Sequence, residues 1–355
     1  MTGKILNYET VRPSPLYEKL ASERLICGVC ERRCGIAPGH MGYCRSRANI
    51  HGRLYTLAFG DLSALESRPI EIKPFFHFHP GSTALTFSTY SCNFACPWCQ
   101  NNHLSRAKPG PESGNHVPPE KVVDLALRNK DSGLCVSFQE PTMLFEYCLE
   151  VFPLAKKKGL YNCFVSNGYQ TEEALRMLRD AGLTGLKIDI KGDAEVYKKY
   201  CRNVDVEKVW RNAALASDMG IHMEMVNLVI SDVNDDGACI DYIIDSHLKH
   251  LGPNVPLHFT RYHPAYEFHN PPTSIRILEM AYERAKKRGI LFPYLGNVTG
   301  HEYEDTYCPG CGELLIKRLG FRIVRINLKE SNTCPKCAQN IPITGYFSRD
   351  SSSHQ

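Results

Sequence analysis

The stretch that decides the fold is "TALTFSTYSCNFACPWCQNN" (83–102). Its first seven residues form a β-branched, apolar run with the length of a buried strand. The loop that follows holds Cys92, Cys96 and Cys99 in a C-x3-C-x2-C pattern. Thiolates hold the irons of iron–sulfur clusters. Three of them this close together can take three corners of a four-iron cubane and leave the last iron open to a ligand. A structural zinc knuckle would use C-x2-C pairs, whereas here the first spacing is three and an aromatic, Trp98, precedes the last cysteine.

Outward from this loop, six further apolar runs read as strands: 134–138, 162–166, 185–190, 222–230, 256–260 and 290–296. Amphipathic stretches at 118–130, 171–182, 205–220 and 273–289 read as helices between them. In "TEEALRMLRDAG" (171–182), Thr171 is the expected cap, Leu175 and Leu178 share one face, and Gly182 is the stop. Alternating strands and helices give a parallel sheet with helices outside. Six or seven such units fall short of an eight-fold barrel, so an α/β fold with an open, partial (β/α)6-type barrel is expected. Ligands of such sheets gather at the C-terminal ends of the strands. The expected organisation is a Cys-rich metal-binding region over 1–80, the barrel over 81–305, a four-Cys zinc-ribbon or rubredoxin-like module over 306–345, and a disordered polar tail over 346–355.

The chain has 355 residues, 43% of them hydrophobic and 23% charged, with a net charge of +4. Its basic runs "LAKKKGL" (154–160) and "ERAKKRGI" (283–290) fit helix ends better than a nucleic-acid groove. No apolar run has the length of a membrane span, and the N-terminus lacks the apolar core of a signal peptide, so a cytoplasmic protein is expected. In a reducing compartment, 16 cysteines point to metal. Cys308, Cys311, Cys334 and Cys337 form two C-P-x-C knuckles, a strong signal for structural zinc or a single iron in a closed four-sulfur site. Cys27, Cys30, Cys34 and Cys44 could hold zinc, a single iron or an auxiliary iron–sulfur cluster, with His40 as an alternative ligand. Cys135, Cys148, Cys163, Cys201 and Cys239 are scattered among apolar residues and read as small buried hydrophobes.

"CNFACPWC" (92–99) matches position by position the C-x3-C-x-aromatic-C hallmark of the radical S-adenosylmethionine (SAM) enzymes, and the chain resembles that superfamily. The resemblance implies a [4Fe-4S] cluster on Cys92, Cys96 and Cys99, with SAM chelated to the open iron and Trp98 packed near it. Further strand-end loops resemble SAM-binding turns. In "SFQEPT" (137–142), Gln139 and Glu140 stand where the superfamily has Gly-Glu, with Gln139 replacing a glycine. Ser166 and Asn167 of "SNGY" would approach the methionine moiety. Asp189 and Lys191 of "KIDIKG" resemble the Asp-x-Lys of glycyl-radical-enzyme activases. His258, Arg261 and His263 of "HFTRYHP" would reach SAM or substrate, and Lys191, Arg261 and His263 are the expected catalytic groups.

"RPIEIKPFFHFHPGS" (68–82), "GNVTGHEYEDTYCPGCG" (296–312) and "LLIKRLGF" (314–321) resemble more narrowly the AmmeMemoRadiSam-system radical SAM enzymes, relatives of pyruvate formate-lyase activase. Where those relatives read Asp-Pro-Ile-Glu-Lys-Lys-Pro, this chain reads Arg68-Pro69-Ile70-Glu71-Ile72-Lys73-Pro74. The activity implied is hydrogen abstraction by a 5′-deoxyadenosyl radical from a C–H bond on a protein or peptide, with a low-potential electron donor as partner. Competing outcomes are glycyl-radical activation, cobalamin-dependent C-methylation of a protein residue, as in methyl-coenzyme M reductase, and modification of RNA or a small metabolite. The Asp-x-His-x-x-Gly cobalamin signature is absent from the sequence. A non-catalytic metal-binding adaptor is the reading from a different class.

Overall fold

A computed structural model describes residues 3–345. The tail expected over 346–355 lies outside the described residues. Eight strands form the main sheet: β1 (Ala64–Pro69), β2 (Thr83–Ser88), β3 (Gly133–Val136), β4 (Tyr161–Ser166), β5 (Gly185–Ile190), β6 (His222–Val229), β7 (Leu257–Arg261) and β8 (Pro293–Gly296). They lie side by side in chain order. From β2 to β8 every pairing is parallel, so each of the seven apolar runs is a strand, and the barrel stays open between its two edges. β1 pairs antiparallel with β2, extending the sheet with a strand from the Cys-rich region.

Helices cover the outer face: α1 (Pro119–Arg128), α2 (Phe145–Lys157), α3 (Glu172–Ala181), α4 (Ala194–Tyr200), α5 (Val206–Asp218), α6 (Gly237–Leu251) and α7 (Ile275–Arg288). Local chemistry sets their ends. The Thr171 hydroxyl accepts from the Ala174 N–H at the start of α3, and Gly182 ends it in the left-handed conformation. The lysines of "LAKKKGL" fall in the last turn of α2 and those of "ERAKKRGI" in the last turn of α7. α2 contains Pro153, which hides its periodicity, and α6 was not expected either.

The segment 70–82 closes the barrel from inside. Phe75 and Phe78 are fully buried, and Phe76 meets His258 and Tyr294 edge-on. Burial of each such ring stabilises by about 1.5–3 kcal/mol. A Cβ at Gly185 would lie 2.8 Å from the Phe78 ring, so only glycine lets the plug reach β5. Glu224 on β6 fixes the plug to the sheet, accepting from the backbone N–H groups of Phe76 (3.0 Å) and His77 (2.7 Å) and from His258 Nε2 (2.7 Å). Burial alone would raise its pKa, but the hydrogen bonds from His222 and His258 outweigh burial and hold it far below the usual carboxylate range.

Two small modules flank the barrel. The N-terminal region holds two three-stranded sheets and is stapled to α2 by a buried, two-pronged ion pair, Arg47 to Glu146 at 2.8 and 2.6 Å. The C-terminal module is an antiparallel sheet of Thr306–Tyr307, Leu314–Leu319 and Arg322–Ile326. Its buried Arg318 donates to the carbonyls of Glu304 (3.1 Å) and Phe76 (2.9 Å), locking the module against the plug.

Candidate functional site

A cavity of about 540 Å3 opens at the C-terminal ends of the strands. Its wall includes the three clustered cysteines, Trp98, Gln139, Glu140, Ser166, Asn167, Asp189, Lys191 and His258. Every expected cofactor-binding residue therefore faces one space.

Cys92 accepts from the Phe94 N–H at 3.3 Å, and Cys99 lies 3.3 Å from the Ser105 hydroxyl. Arg106 donates to the carbonyls of Phe94 and Cys96, bracing the loop. Asn167 Nδ2 donates to Asn93 Oδ1 at 2.7 Å, tying the loop after β4 to the trio. Burial pushes the Cys92 thiol well up. A hydrogen bond from Cys201, 4.0 Å away, brings Cys96 down to about 7 against its burial, with Lys191 and Arg106 adding to the effect. Cys201 is buried in the core as expected, and its sulfur also meets that of Cys96. Trp98 packs against Tyr200 and Phe268 at the cavity edge.

Glu140 is committed to its own protein: Oε1 accepts from Thr142 N (3.1 Å) and the Ser166 hydroxyl (2.9 Å), and Oε2 from Asn167 N (2.9 Å). It clamps the β3 and β4 loops together. Before it, Phe138 sits at φ +73°, a left-handed conformation that suits glycine. The turn keeps the shape of a glycine turn while carrying an aromatic ring. Asp189 takes both Lys187 and Lys191, the latter at 3.5 Å. Burial would raise the pKa of Asp189, but the two lysines hold it below the usual range, and Asp189 raises Lys191 against burial in turn.

Two of the expected catalytic groups lie elsewhere. Along β7, His258 and Thr260 face the cavity, so the two-residue period turns Arg261 away, and its Nε donates to the Thr273 carbonyl at 2.9 Å. His263, past the strand end, is exposed to solvent. Lys191 alone of that trio lines the cavity.

Cys308, Cys311, Cys334 and Cys337 bring their sulfurs within 4.8 Å of one another, with pairs at 3.5 and 3.6 Å. A tetrahedral ion with metal–sulfur bonds of about 2.3 Å needs sulfur separations near these. Among the described residues this is the one group of three or more ligand side chains so drawn together. No three ligand atoms of Cys27, Cys30, Cys34 and Cys44 lie within 4.8 Å of one another, yet the thiols are near enough to raise one another's pKa on top of the effect of burial. They border the β4 loop, where Cys30 bridges to Gln170 and the Thr171 hydroxyl donates to the Gly28 carbonyl. His40 stays exposed, with Nδ1 3.0 Å from the Pro38 carbonyl.

Residues 86–243 match the Radical SAM superfamily. An uncharacterized protein of Methanocaldococcus jannaschii is 38% identical over 335 residues, spanning 94% of this chain and 99% of that one. The probable GTP 3′,8-cyclase of the same organism is 26% identical over 153 residues, 41% of this chain and 49% of the relative. The crystal structure of Streptococcus suis SuiB bound to S-adenosylmethionine aligns with a TM-score of 0.49 at 12% identity, covering 62% of this chain and 53% of that one. The chain belongs to the radical SAM superfamily, whose members are enzymes built around a [4Fe-4S] cluster and SAM. Among the described residues, no helix is long and apolar enough to cross a membrane.

Proposed function

We propose that this enzyme cleaves SAM reductively and uses the radical so formed to abstract hydrogen from a C–H bond on a protein or peptide. When bound, a [4Fe-4S] cluster with one open iron supplies the chelation of SAM and the electron that breaks its S–C5′ bond. Cys92, Cys96 and Cys99 would hold that cluster. The residues present fit both groups. The three thiols sit too far apart for a single small ion, and His258 Nδ1 and Thr260 Oγ1 are buried polar atoms without a protein partner on the cavity wall.

Ser166 and Asn167, held in place by Glu140, would orient the methionine end of SAM. The Asp189–Lys191 pair would bind at the same level from β5. The observation that carries the reading is that the cysteine loop and the expected turns after β3, β4 and β5, together with His258, line a single cavity. A macromolecular substrate suits the approach. The plug closes the floor, and Phe321 of the C-terminal hairpin, 47% exposed, stands at the rim. A partner from above would insert one side chain or terminus.

The test is anaerobic reconstitution with dithionite and SAM. 5′-Deoxyadenosine is expected, and Cys96→Ala should abolish it while the C-terminal metal content persists. An intact cluster that yields no 5′-deoxyadenosine would overturn the reading. A corrinoid absorption spectrum after purification from a cobalamin-supplied host would redirect the chemistry to C-methylation.

A further inference from the structure

Lys73 enters the cavity from the plug with only 4% of its surface exposed. Among the described residues it has neither an acidic group within ion-pair distance nor a hydrogen-bond acceptor for its ammonium. The other cations on the wall are paired: Lys187 and Lys191 with Asp189, and Arg68 with Glu66. The lining acids are engaged as well. Glu71 accepts from Gly81 N, Glu140 from the β4 loop, and Glu304 from Gly300 N and Gly320 N.

The Lys73 ammonium lies 4.2 Å from the centre of the Phe138 ring. A bulky residue in the left-handed region costs about 1–3 kcal/mol and persists where the surroundings enforce it, often at ligand sites. Here the strained turn supports the aromatic face over which the cation rests. The next residue, Gln139, is 6% exposed, and neither atom of its amide has a partner.

An ammonium this secluded and without a counter-charge gives up its proton, holds cavity water, or receives an anion from outside. Burial pushes the pKa of Lys73 down, and an arriving anion would reverse that. We propose that Lys73 and the Gln139 amide form the subsite for a carboxylate on the substrate, held beneath the SAM position. One compact cation and one amide N–H match the two oxygens of a carboxylate. A phosphate dianion would call for more positive charge than this wall offers, where the cations Arg68, Lys73, Lys187 and Lys191 are matched by the acids Glu71, Glu140, Asp189 and Glu304. The proposal rests on the radical SAM reading of the cavity and adds the chemical class of the group bound there.

The test uses the full chain, reconstituted anaerobically and titrated with propionate, glutarate and N-acetylaspartate. Potassium phosphate is titrated in parallel, with chloride at matched ionic strength as the control. A saturable rise in the unfolding midpoint is expected with at least one carboxylate. Lys73→Met should weaken it by roughly tenfold or more, the scale of one charged hydrogen bond, while Lys73→Arg retains it. Gln139→Leu, which keeps the lysine, should weaken the same carboxylate and guards against a misfolded Lys73→Met.

The proposal is overturned if no carboxylate saturates, if phosphate binds more tightly than every carboxylate, or if Lys73→Met binds like the wild type. Equilibrium dialysis with SAM separates the remaining cases. Loss of SAM binding in Lys73→Met would assign Lys73 to SAM and overturn the substrate subsite. A wild type that binds carboxylate but no SAM would sink the radical SAM reading while leaving the subsite standing.

Discussion

Cys96 and Cys201 are 105 residues apart in the chain, yet their sulfurs are 4.0 Å apart. With no cluster to hold Cys96, the two thiols are near enough to join as a disulfide after a small movement. Once a cluster is lost in air, Cys96 is expected to be oxidised to a disulfide with Cys201. Non-reducing peptide mapping after aerobic cluster loss should recover the linked pair, and Cys201→Ala should remove it without removing the Cys308–Cys337 region's metal. Sequence alone pairs Cys96 with its neighbours in the motif, because those spacings are local. Nothing in the text of the chain announces a partner that α4 delivers from across the barrel. Arg261 illustrates the converse: it lies on a strand that lines the cavity, and one residue of register turns it away.

At the scale of elements, the plug decides the shape of the cavity. Gly185→Ala would press a methyl against Phe78, and overpacking of this kind costs about 1–3 kcal/mol, measurable as a lower urea midpoint at unchanged slope. Glu224→Gln should cost more, roughly 3–5 kcal/mol, because it strips a charge from a buried set of donors. The pH dependence has a definite sign. The folded pKa of Glu224 is depressed, so its contribution is complete above the ordinary value of 4.5 and is lost as pH falls below that toward the folded value. The gap between wild type and Glu224→Gln, followed by denaturation from neutral to acidic pH, should therefore narrow below pH 4.5. The barrel strands were legible because strands buried on both faces read as unbroken apolar runs. The plug was not, because the short alternations in "IEIKPFFHFHPG" (70–81) have a strand's period, whereas the chain forms a 3-10 turn over Ile70–Ile72 and an irregular loop after it. Its aromatics, His77 and Glu71 are placed by tertiary contacts alone.

Across the whole molecule, the C-terminal four-sulfur site and the cavity are mechanically joined. Arg318 donates to the Phe76 carbonyl, Thr344 N to the His77 carbonyl, and His79 N to the Thr344 carbonyl, so the module grips the plug at three points. The module's own core is small, centred on Leu315, Ile316 and Ile341 around Cys308 and Cys334. A structural ion of this type contributes about 10–16 kcal/mol in small zinc domains, far more than that core supplies. Chelation should therefore release a single ion per chain and unfold the module while the main parallel sheet persists. The consequence should reach the cavity floor. With Arg318 and Thr344 withdrawn, the His79 amide loses its acceptor and the Phe76 and His77 carbonyls lose their donors, so hydrogen exchange at His79 and its neighbours should rise together with that over 306–345. Cys334→Ser should reproduce the same exchange pattern without chelator. If exchange rose in the module and the plug stayed protected, Glu224 alone would be sufficient to hold the floor. The four-cysteine module would then serve the rim and not the cavity.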